Sequence, residues 1–432
     1  MLTTIKNAWK IPELRSKMLF TLLCLFIFRL GSAVPVPFID STLLANLFGS
    51  YEATLLGFMN AMSGGAFEQA KIFALSIQPY INASIIMQLL AVAIPSLERL
   101  SKEGGEEGKK KIAAITRYVT IAIALLQGFA YYKLLQNGYG GVSLIDTKGL
   151  NGVFVAFVIV FTFTAGSAFI MWLGEQITEH GIGNGISMIL FVSIISRVYP
   201  AIQSLAGNYA TLRWYGIAAI LVVFLAVIAF IIFFDGAERR LSIQYAKKVV
   251  GRKMYGGRST HLPIKVNMSG VMPIIFASSI ATFPATIAAF FPKPESGFWL
   301  WVQENIFSPD SATYAVIYLL LIVGFSYFYT AIQFNPIEIA NNLKNNGGFI
   351  PGFRPGRPTA EFITKVMNKI TLFGAVFLGV IAVLPIIVGH ATPGINLSIG
   401  GTSILIVVGV ALETVKQLES QMMMRNYKGF LE

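Results

Sequence analysis

Three amide side chains lie in a stretch that is otherwise apolar, where a polar group needs a partner. Gln78, Asn82 and Gln88 fall within residues 72–94, a run long enough to cross a bilayer, and Pro79 is predicted to interrupt its helix. With about 100° between neighbouring residues, the three amides lie within roughly 120° of one another. Unsatisfied polar groups are costly in hydrocarbon, so this face is predicted to contact protein or water.

Residues 57–70, which precede that run, are rich in Gly, Ala and Ser and are too polar and short to span a bilayer. They fit a re-entrant segment, which is tolerated where it is buried in protein or lines a cavity. They also fit an ordinary helix–helix contact made by small residues. The residues alone leave both possibilities open.

No residue pattern typical of an enzyme is found. The sequence lacks HExxH, GxSxG and the phosphate-binding GxxxxGK followed by Ser or Thr. His180, His261 and His390 lie in separate predicted loops, and Cys24 is the only cysteine. The apolar runs also lack the buried acidic pairs that mark ion coupling. We therefore predict no catalytic residues, no metal and no cofactor.

Apolar helices must position these residues. The chain has 432 residues, of which 55% are hydrophobic and 12% charged, and its mean hydropathy is +0.67. This composition predicts an all-α polytopic membrane protein, and ten apolar runs predict ten transmembrane helices. The runs are residues 18–34, 72–94, 112–135, 153–173, 185–199, 214–234, 270–291, 314–332, 370–388 and 403–418.

The basic residues predict the orientation of these helices. Of the 33 Lys and Arg residues, 26 fall in the predicted segments of one side and six on the other, while Arg29 lies inside the first run. By the positive-inside rule, both termini are cytoplasmic. Arg29 is expected to snorkel to an interface or to pair with a polar group.

Two long basic loops, 235–269 and 334–369, are predicted on the cytoplasmic side. Their charge favours a docking surface for a large, partly anionic partner, although contact with anionic lipid is the alternative. The connection 174–185 also faces the cytoplasm but has no Lys or Arg, and its four glycines predict tight turns and close packing. The basic residues singled out in the first loop are Arg239, Arg240, Lys247, Lys248 and Arg252.

Four long stretches resemble the signature sequences of the SecY family, the central channel subunits of the bacterial protein translocase. They are MWLGEQITEHGIGNGISM (171–188), RSTHLPIKVNMSGVMP (258–273), GGFIPGFRPG (347–356) and GGTSILIVVGVALETVKQLESQ (400–421). The resemblance extends over essentially the whole chain. It implies two pseudo-symmetric halves, residues 1–200 and 201–432, which form a 5+5 inverted repeat around an hourglass pore.

The resemblance also implies a pore constriction of branched apolar side chains, which we call the ring set. Such a ring would dewet against ions and deform around a passing chain. Without the resemblance, the same residues would be taken as packing positions; Leu190 replaces an isoleucine found in some relatives. The ring set is Ile81, Ile85, Ile186, Leu190, Ile275 and Ile406.

Further roles follow from the resemblance. Residues 57–70 correspond to a plug, a short helix that seals the outer funnel at rest, and we call them the plug segment. The second and seventh runs would border a lateral gate that includes Gln78, Asn82 and Gln88. Arg354 matches an arginine implicated in motor function. The implied partners are the small membrane subunits SecE and SecG, the SecA ATPase, the ribosome, signal peptides, nascent polypeptides and membrane lipids.

The leading hypothesis is therefore a protein-conducting channel of the cytoplasmic membrane, which translocates unfolded secretory proteins and releases membrane segments laterally. A secondary transporter with broken helices is the alternative, but it needs a mid-membrane coupling site that the acidic residues do not provide. A membrane enzyme is a third possibility, and it lacks a nucleophile or metal constellation.

Overall fold

The structure is a computed structural model, and it describes residues 2–40, 44, 60, 62–102, 104–137, 144–146, 149–207, 209–245, 248–250, 253–255, 259–288, 297–306, 311–391 and 401–428. The helices before residue 236 are α1 Leu2–Lys10, α2 Pro12–Gly31, α3 Gln78–Ala93, α4 Pro95–Lys102, α5 Gly105–Asn137, α6 Gly152–His180, α7 Gly185–Ser196, α8 Val198–Gly207 and α9 Tyr209–Asp235. The later helices are α10 Met272–Ala288, α11 Phe298–Asn305, α12 Ala312–Gln333, α13 Pro336–Asn345, α14 Arg357–Ala391 and α15 Gly401–Lys428.

Each of the ten apolar runs contains a helix, and the predicted helical fold class is confirmed. Within the described residues, four stretches are long and apolar enough to cross a membrane by length and composition. The ten-span count and the inverted repeat stay predictions. The four stretches are Gly105–Gln136, Gly152–His180, Ala312–Asn345 and Arg357–Leu384.

The second apolar run begins differently from its prediction. Residues 72–77 form turns, and α3 starts only at Gln78, so the expectation of a helix from residue 72 was wrong. Pro79 does not interrupt the helix but lies in its first turn, where the missing N–H is not needed. Backbone hydrogen bonds to residues far away in the sequence fix the start of these turns. The Val36 N–H donates to the Ala70 carbonyl (3.1 Å), and the Ile72 N–H donates to the Val34 carbonyl (3.0 Å).

The two long loops share a small sheet, which the sequence analysis did not predict. Its order is β4–β1–β5, where β1 is Glu238–Tyr245, β4 is Ser259–Lys265 and β5 is Gly348–Phe349. All pairs are antiparallel, with Leu241 opposite Leu262 and Gln244 opposite Phe349. Two further short strands, β2 Lys248–Val250 and β3 Lys253–Tyr255, form a hairpin between β1 and β4. The predicted helical fold therefore also carries a small sheet built from both long loops.

The two predicted halves meet along two seams. One seam is the contact of α3 with α10, and the other is the contact of α7 with α15. α1 also packs on α15, where Thr4 Oγ1 donates to Glu419 Oε1 at 3.0 Å. The division at residue 200 is a prediction that these contacts fit.

The glycines of the connection 174–185 allow close packing, as predicted. A Cβ added at Gly185 would lie 1.9 Å from the carbonyl oxygen of Gly174, so α6 and α7 touch through their backbones. Gly183 has φ +83°, a left-handed conformation that glycine adopts without strain. The connection is therefore fixed by close backbone contact, and Glu175 also pairs with Arg117 Nε at 2.9 Å.

We expect Gly185→Ala to lower the apparent melting temperature, because overpacking costs about 1–3 kcal/mol and sometimes more. A maleimide dye that reacts with Cys24 can report unfolding, since this buried thiol is the only cysteine. The control is Gly324→Ala in α12, where an added Cβ meets nothing within 4 Å and alanine favours the helix. Equal melting temperatures for the two variants would contradict the backbone contact.

Candidate functional site

All six residues of the ring set lie in or against one hydrophobic cluster, which we call the central cluster. Ile81, Ile85, Leu190, Ile275 and Ile406 are each at most 4% exposed, and the partly buried Ile186 packs against them. These residues come from α3, α7, α10 and α15, the four helices of the two seams. The structure thus brings together side chains that are more than 300 positions apart in the sequence.

The central cluster extends beyond the ring set. It also includes Cys24 and Phe28 of α2, and Ile170 and Ile177 of α6. A closed apolar seal and a packed helical core both fit this arrangement. The role of the ring set as a constriction therefore stays a proposal.

A polar cavity of about 590 Å³ adjoins the central cluster. Val271 lines the cavity and also belongs to the cluster, so the cavity reaches the apolar packing. Asp235 contacts two other residues that line the cavity. Its Oδ2 lies 3.4 Å from Lys416 Nζ, and its Oδ1 accepts a hydrogen bond from Asn267 Nδ2 at 3.2 Å. Glu413 also lines the cavity.

The sequence analysis did not predict this cavity. Charged residues at the ends of the sixth, seventh and tenth runs are the signal that could have indicated it. Their segments all lie on the side that the basic residues predict to be cytoplasmic, and we call this cavity the vestibule.

The plug segment is described at residues 60 and 62–70, while 57–59 and 61 lie outside the described residues. Residues 60 and 62 are helical, whereas residues 63–70 form turns, so the short helix that the resemblance implies does not extend over residues 63–70. The Asn60 side chain makes two hydrogen bonds to Glu68 at the other end of these turns. Its oxygen accepts from the Glu68 N–H at 3.1 Å, and its amide nitrogen donates to the Glu68 carboxylate. Met62 is 3% exposed and belongs to the central cluster.

Side chains from three helices and from the turns 72–77 donate hydrogen bonds to the backbone of the plug segment. The Gly64 carbonyl accepts from Arg29 Nη1 and from Ser196 Oγ, both at 3.4 Å. The Met62 carbonyl accepts from Ser76 Oγ at 3.1 Å, and the Phe67 carbonyl accepts from the Tyr131 hydroxyl. Arg29 pairs with a polar group, one of the two outcomes expected for it.

The predicted gate amides differ in their surroundings. Gln78 and Asn82 are buried, 3% and 6% exposed, on the helix that contributes Ile81 and Ile85. Gln88 is half-buried and donates from Nε2 to Ser84 Oγ at 3.2 Å within its own helix. The structure therefore places two of the three amides inside the protein near the central cluster.

The basic residues of the first long loop are only partly described. Arg239 and Arg240 are exposed on β1, and Arg240 Nε lies 4.0 Å from Glu238 Oε2. Lys248 lies in β2, whereas Lys247 and Arg252 are outside the described residues. β1 buries Leu241 and Ile243 on one face and carries Arg240 on the opposite face, whereas Arg239 lies on the same face as Leu241, at the exposed start of the strand.

Arg354 is exposed in a turn between β5 and α14 that is fixed around it. Its carbonyl accepts from Thr359 Oγ1 at 2.8 Å, and the neighbouring Phe353 ring stacks on Phe362 at 4.1 Å. Arg357, by contrast, pairs through Nε with Glu361 Oε1 at 3.2 Å. Within the described part of the chain, the Arg354 guanidinium has no ion-pair partner, so it is presented outward on a rigid turn.

The chain was compared with known proteins. A sequence model of the SecY family matches residues 71–415. The protein translocase subunit SecY of Streptomyces galbus is 45% identical over 444 residues, and that of Thermus thermophilus is 44% identical over 438 residues. These alignments cover 100% of this chain and 100% and 98% of the relatives.

Solved structures show the same fold at low identity. One is described as a protein-conducting channel, with a TM-score of 0.66, 17% identity and 97% coverage of both chains. Another is Sec61 in a canine ribosome–channel complex, with a TM-score of 0.62, 16% identity and the same coverage. None of these proteins is a transporter of small molecules, so the transporter alternative has no support from them.

Shared amino-acid composition alone cannot explain a family match over residues 71–415 together with 45% identity over the full length. They also bear out the prediction that the chain is not an enzyme, because the relatives are named as channel or translocase subunits. The chain belongs to the SecY family, and it is a multi-pass membrane subunit of a protein-conducting translocase.

Proposed function

We propose that the ring set is the constriction through which unfolded secretory proteins cross the cytoplasmic membrane. The observation that carries this proposal is the single apolar cluster shared by α3, α7, α10 and α15, with a polar cavity beside it. A narrow ring of branched apolar side chains excludes water and ions, and it can yield around an extended chain. The vestibule would receive the chain, and the ring would close around it.

Lateral release would use the seam of α3 and α10. The buried amides Gln78 and Asn82 lie on α3 together with two ring residues, so one helix would serve both gate and seal. A hydrophobic signal sequence can replace the contacts between the two helices, and separating them also loosens the ring. Gln88, bonded within its own helix, would contribute to the gate only when α3 moves.

We infer the orientation of the chain in the cytoplasmic membrane from the distribution of its Lys and Arg residues. With both termini cytoplasmic, the basic loops, the sheet and the vestibule all face the cytoplasm. The exposed Arg239 and Arg240 would bind ribosomal RNA or SecA, and Lys247, Lys248 and Arg252 would add to the same surface. A ribosome is supported as a partner because the structural neighbour Sec61 was solved in a ribosome–channel complex.

The remaining partners come from the family. SecE and SecG would cover apolar helix faces as small membrane subunits, and SecA would supply the energy. Signal peptides, nascent polypeptides and membrane lipids would occupy the gate and the pore in turn. The halves 1–200 and 201–432 would move as two bodies around the seams.

Replacing a ring residue with asparagine places a hydratable group in the constriction and lowers the barrier to wetting. We expect Ile85→Asn and Ile275→Asn to raise the ion conductance of the resting complex in planar bilayers and to admit substrates with defective signal sequences. Ile322→Asn is the control, because Ile322 is fully buried but belongs to a different cluster. If the ring variants stay as tight as the parent, or if Ile322→Asn leaks equally, the residues are packing positions.

Gly64→Ala should loosen the plug segment. An added Cβ would lie 2.8 Å from Ser196 Oγ and 3.0 Å from the Ser193 carbonyl oxygen, so the segment would be pushed off α7. Gly65→Ala is the matched control, because both glycines have a positive φ. A Cβ added at Gly65 would be 3.6 Å from its nearest neighbour, Glu68 Oε1. We expect a higher resting conductance for Gly64→Ala than for Gly65→Ala, with translocation largely retained. Equal conductance would show that the contact with α7 is not a seal.

Arg354→Glu should reduce SecA-driven translocation in inverted vesicles more severely than Arg357→Glu. The Arg354 guanidinium points outward from a fixed turn and suits bidentate contacts, whereas Arg357 is already engaged by Glu361. Both substitutions change the charge by the same amount, so each controls for the other. Equal and mild defects would show that the loop acts only through its diffuse positive charge.

A further inference from the structure

Helix α11 (Phe298–Asn305) exposes three aromatic side chains, and Phe298 contacts each of the other two. Phe298, Trp299 and Trp301 are 72%, 65% and 50% exposed. Phe298 stacks on Trp301 (ring centroids 6.3 Å apart, planes at 22°) and meets Trp299 edge-on, also at 6.3 Å. Val302 is buried on the same helix. We call the three exposed rings the aromatic patch.

The aromatic patch adjoins a surface that faces lipid. α11 packs on α12, and only five residues separate Asn305 from Ser311, the N-cap of α12. α12 exposes Val316 and Leu320 at 59% and 62%, about 6 and 12 Å along the helix from its start. In a multi-pass membrane protein, these exposed apolar side chains contact acyl chains. The patch therefore lies near the level at which α12 enters the bilayer.

We propose that the aromatic patch inserts into the bilayer interface and anchors α11 to lipid. Tryptophan is enriched at this depth because its ring is apolar and its N–H can still reach water or headgroups. α11 has no Lys or Arg and one acidic residue, Glu304, so aromatic burial and not headgroup charge drives the insertion. Under the proposed orientation, the leaflet is the one opposite the cytoplasm.

Lipid fits the patch better than a protein partner does. An aromatic side chain buries at most about 250 Å², so the three exposed rings offer no more than about 750 Å² if buried completely. A stable protein interface buries about 800 Å² on each side and needs a polar rim. Continuity with the lipid-facing side of α12 supplies the remaining surface when the occupant is the bilayer.

The test uses the complex in nanodiscs made with phosphatidylcholine brominated at acyl carbons 6,7 or at 11,12. Trp9, Trp172 and Trp214 are replaced with Phe, so that Trp299 and Trp301 are the remaining tryptophans of this chain, and the emission of the same complex with these two also replaced is subtracted. We expect blue-shifted emission, at least twofold quenching by the 6,7-dibromo lipid, weaker quenching by the 11,12-dibromo lipid, and no change between 50 mM and 500 mM salt. Oxidative footprinting of the unmodified chain keeps the test independent of the substitutions, and Trp299 and Trp301 (65% and 50% exposed) should be less oxidised than Trp9, which is 43% exposed.

Two results would overturn the proposal. Emission near that of free tryptophan, with strong quenching by iodide, would place the patch in water. Blue-shifted emission without quenching by either lipid or iodide would mean that protein, either a partner or a second copy, covers it. Bromine quenches from either leaflet, so this outcome does not depend on the proposed orientation or on channel activity.

Discussion

The packing of branched apolar side chains between α3, α7, α10 and α15 is the contact on which the rest of the structure depends. Each seam between the predicted halves contributes to the central cluster, so neither seam can open without disturbing it. Within a bilayer, association of helices depends on van der Waals packing and interhelical hydrogen bonds, because lipid tails are as apolar as these side chains. Complementary packing of the central cluster and the hydrogen bonds around it therefore act together at the two seams.

Much of the helical framework was predictable because hydropathy is a local property. Each apolar run contains a helix, and Asn184 at the start of α7 caps it by accepting from the Ile186 N–H, as its residue type suggests. The glycines of the connection 174–185 were also informative, since close backbone contact admits only glycine. Local composition and spacing were sufficient at these positions.

The features that could not be predicted depend on contacts between distant residues. The late start of α3 follows from backbone bonds to Val34 and Val36, which hydropathy does not encode. The sheet needs β5, a strand of two residues that pairs with β1 from the other long loop. Alternation in β1 was a usable signal, because Leu241 and Ile243 are buried between exposed neighbours. The ring set was identified by family resemblance, since its members lie on four separate helices.

The hydrogen bonds to the plug segment have a consequence for sequence variation. Arg29, Ser196, Ser76 and Tyr131 all donate to main-chain carbonyls of residues 62–67, and none of these four bonds uses a side chain of the segment. A backbone acceptor is present whatever residue occupies the position. Apart from Asn60 and Gly64, whose own side chain or lack of one matters, positions of the segment can therefore accumulate substitutions while the four donors still bind its main chain.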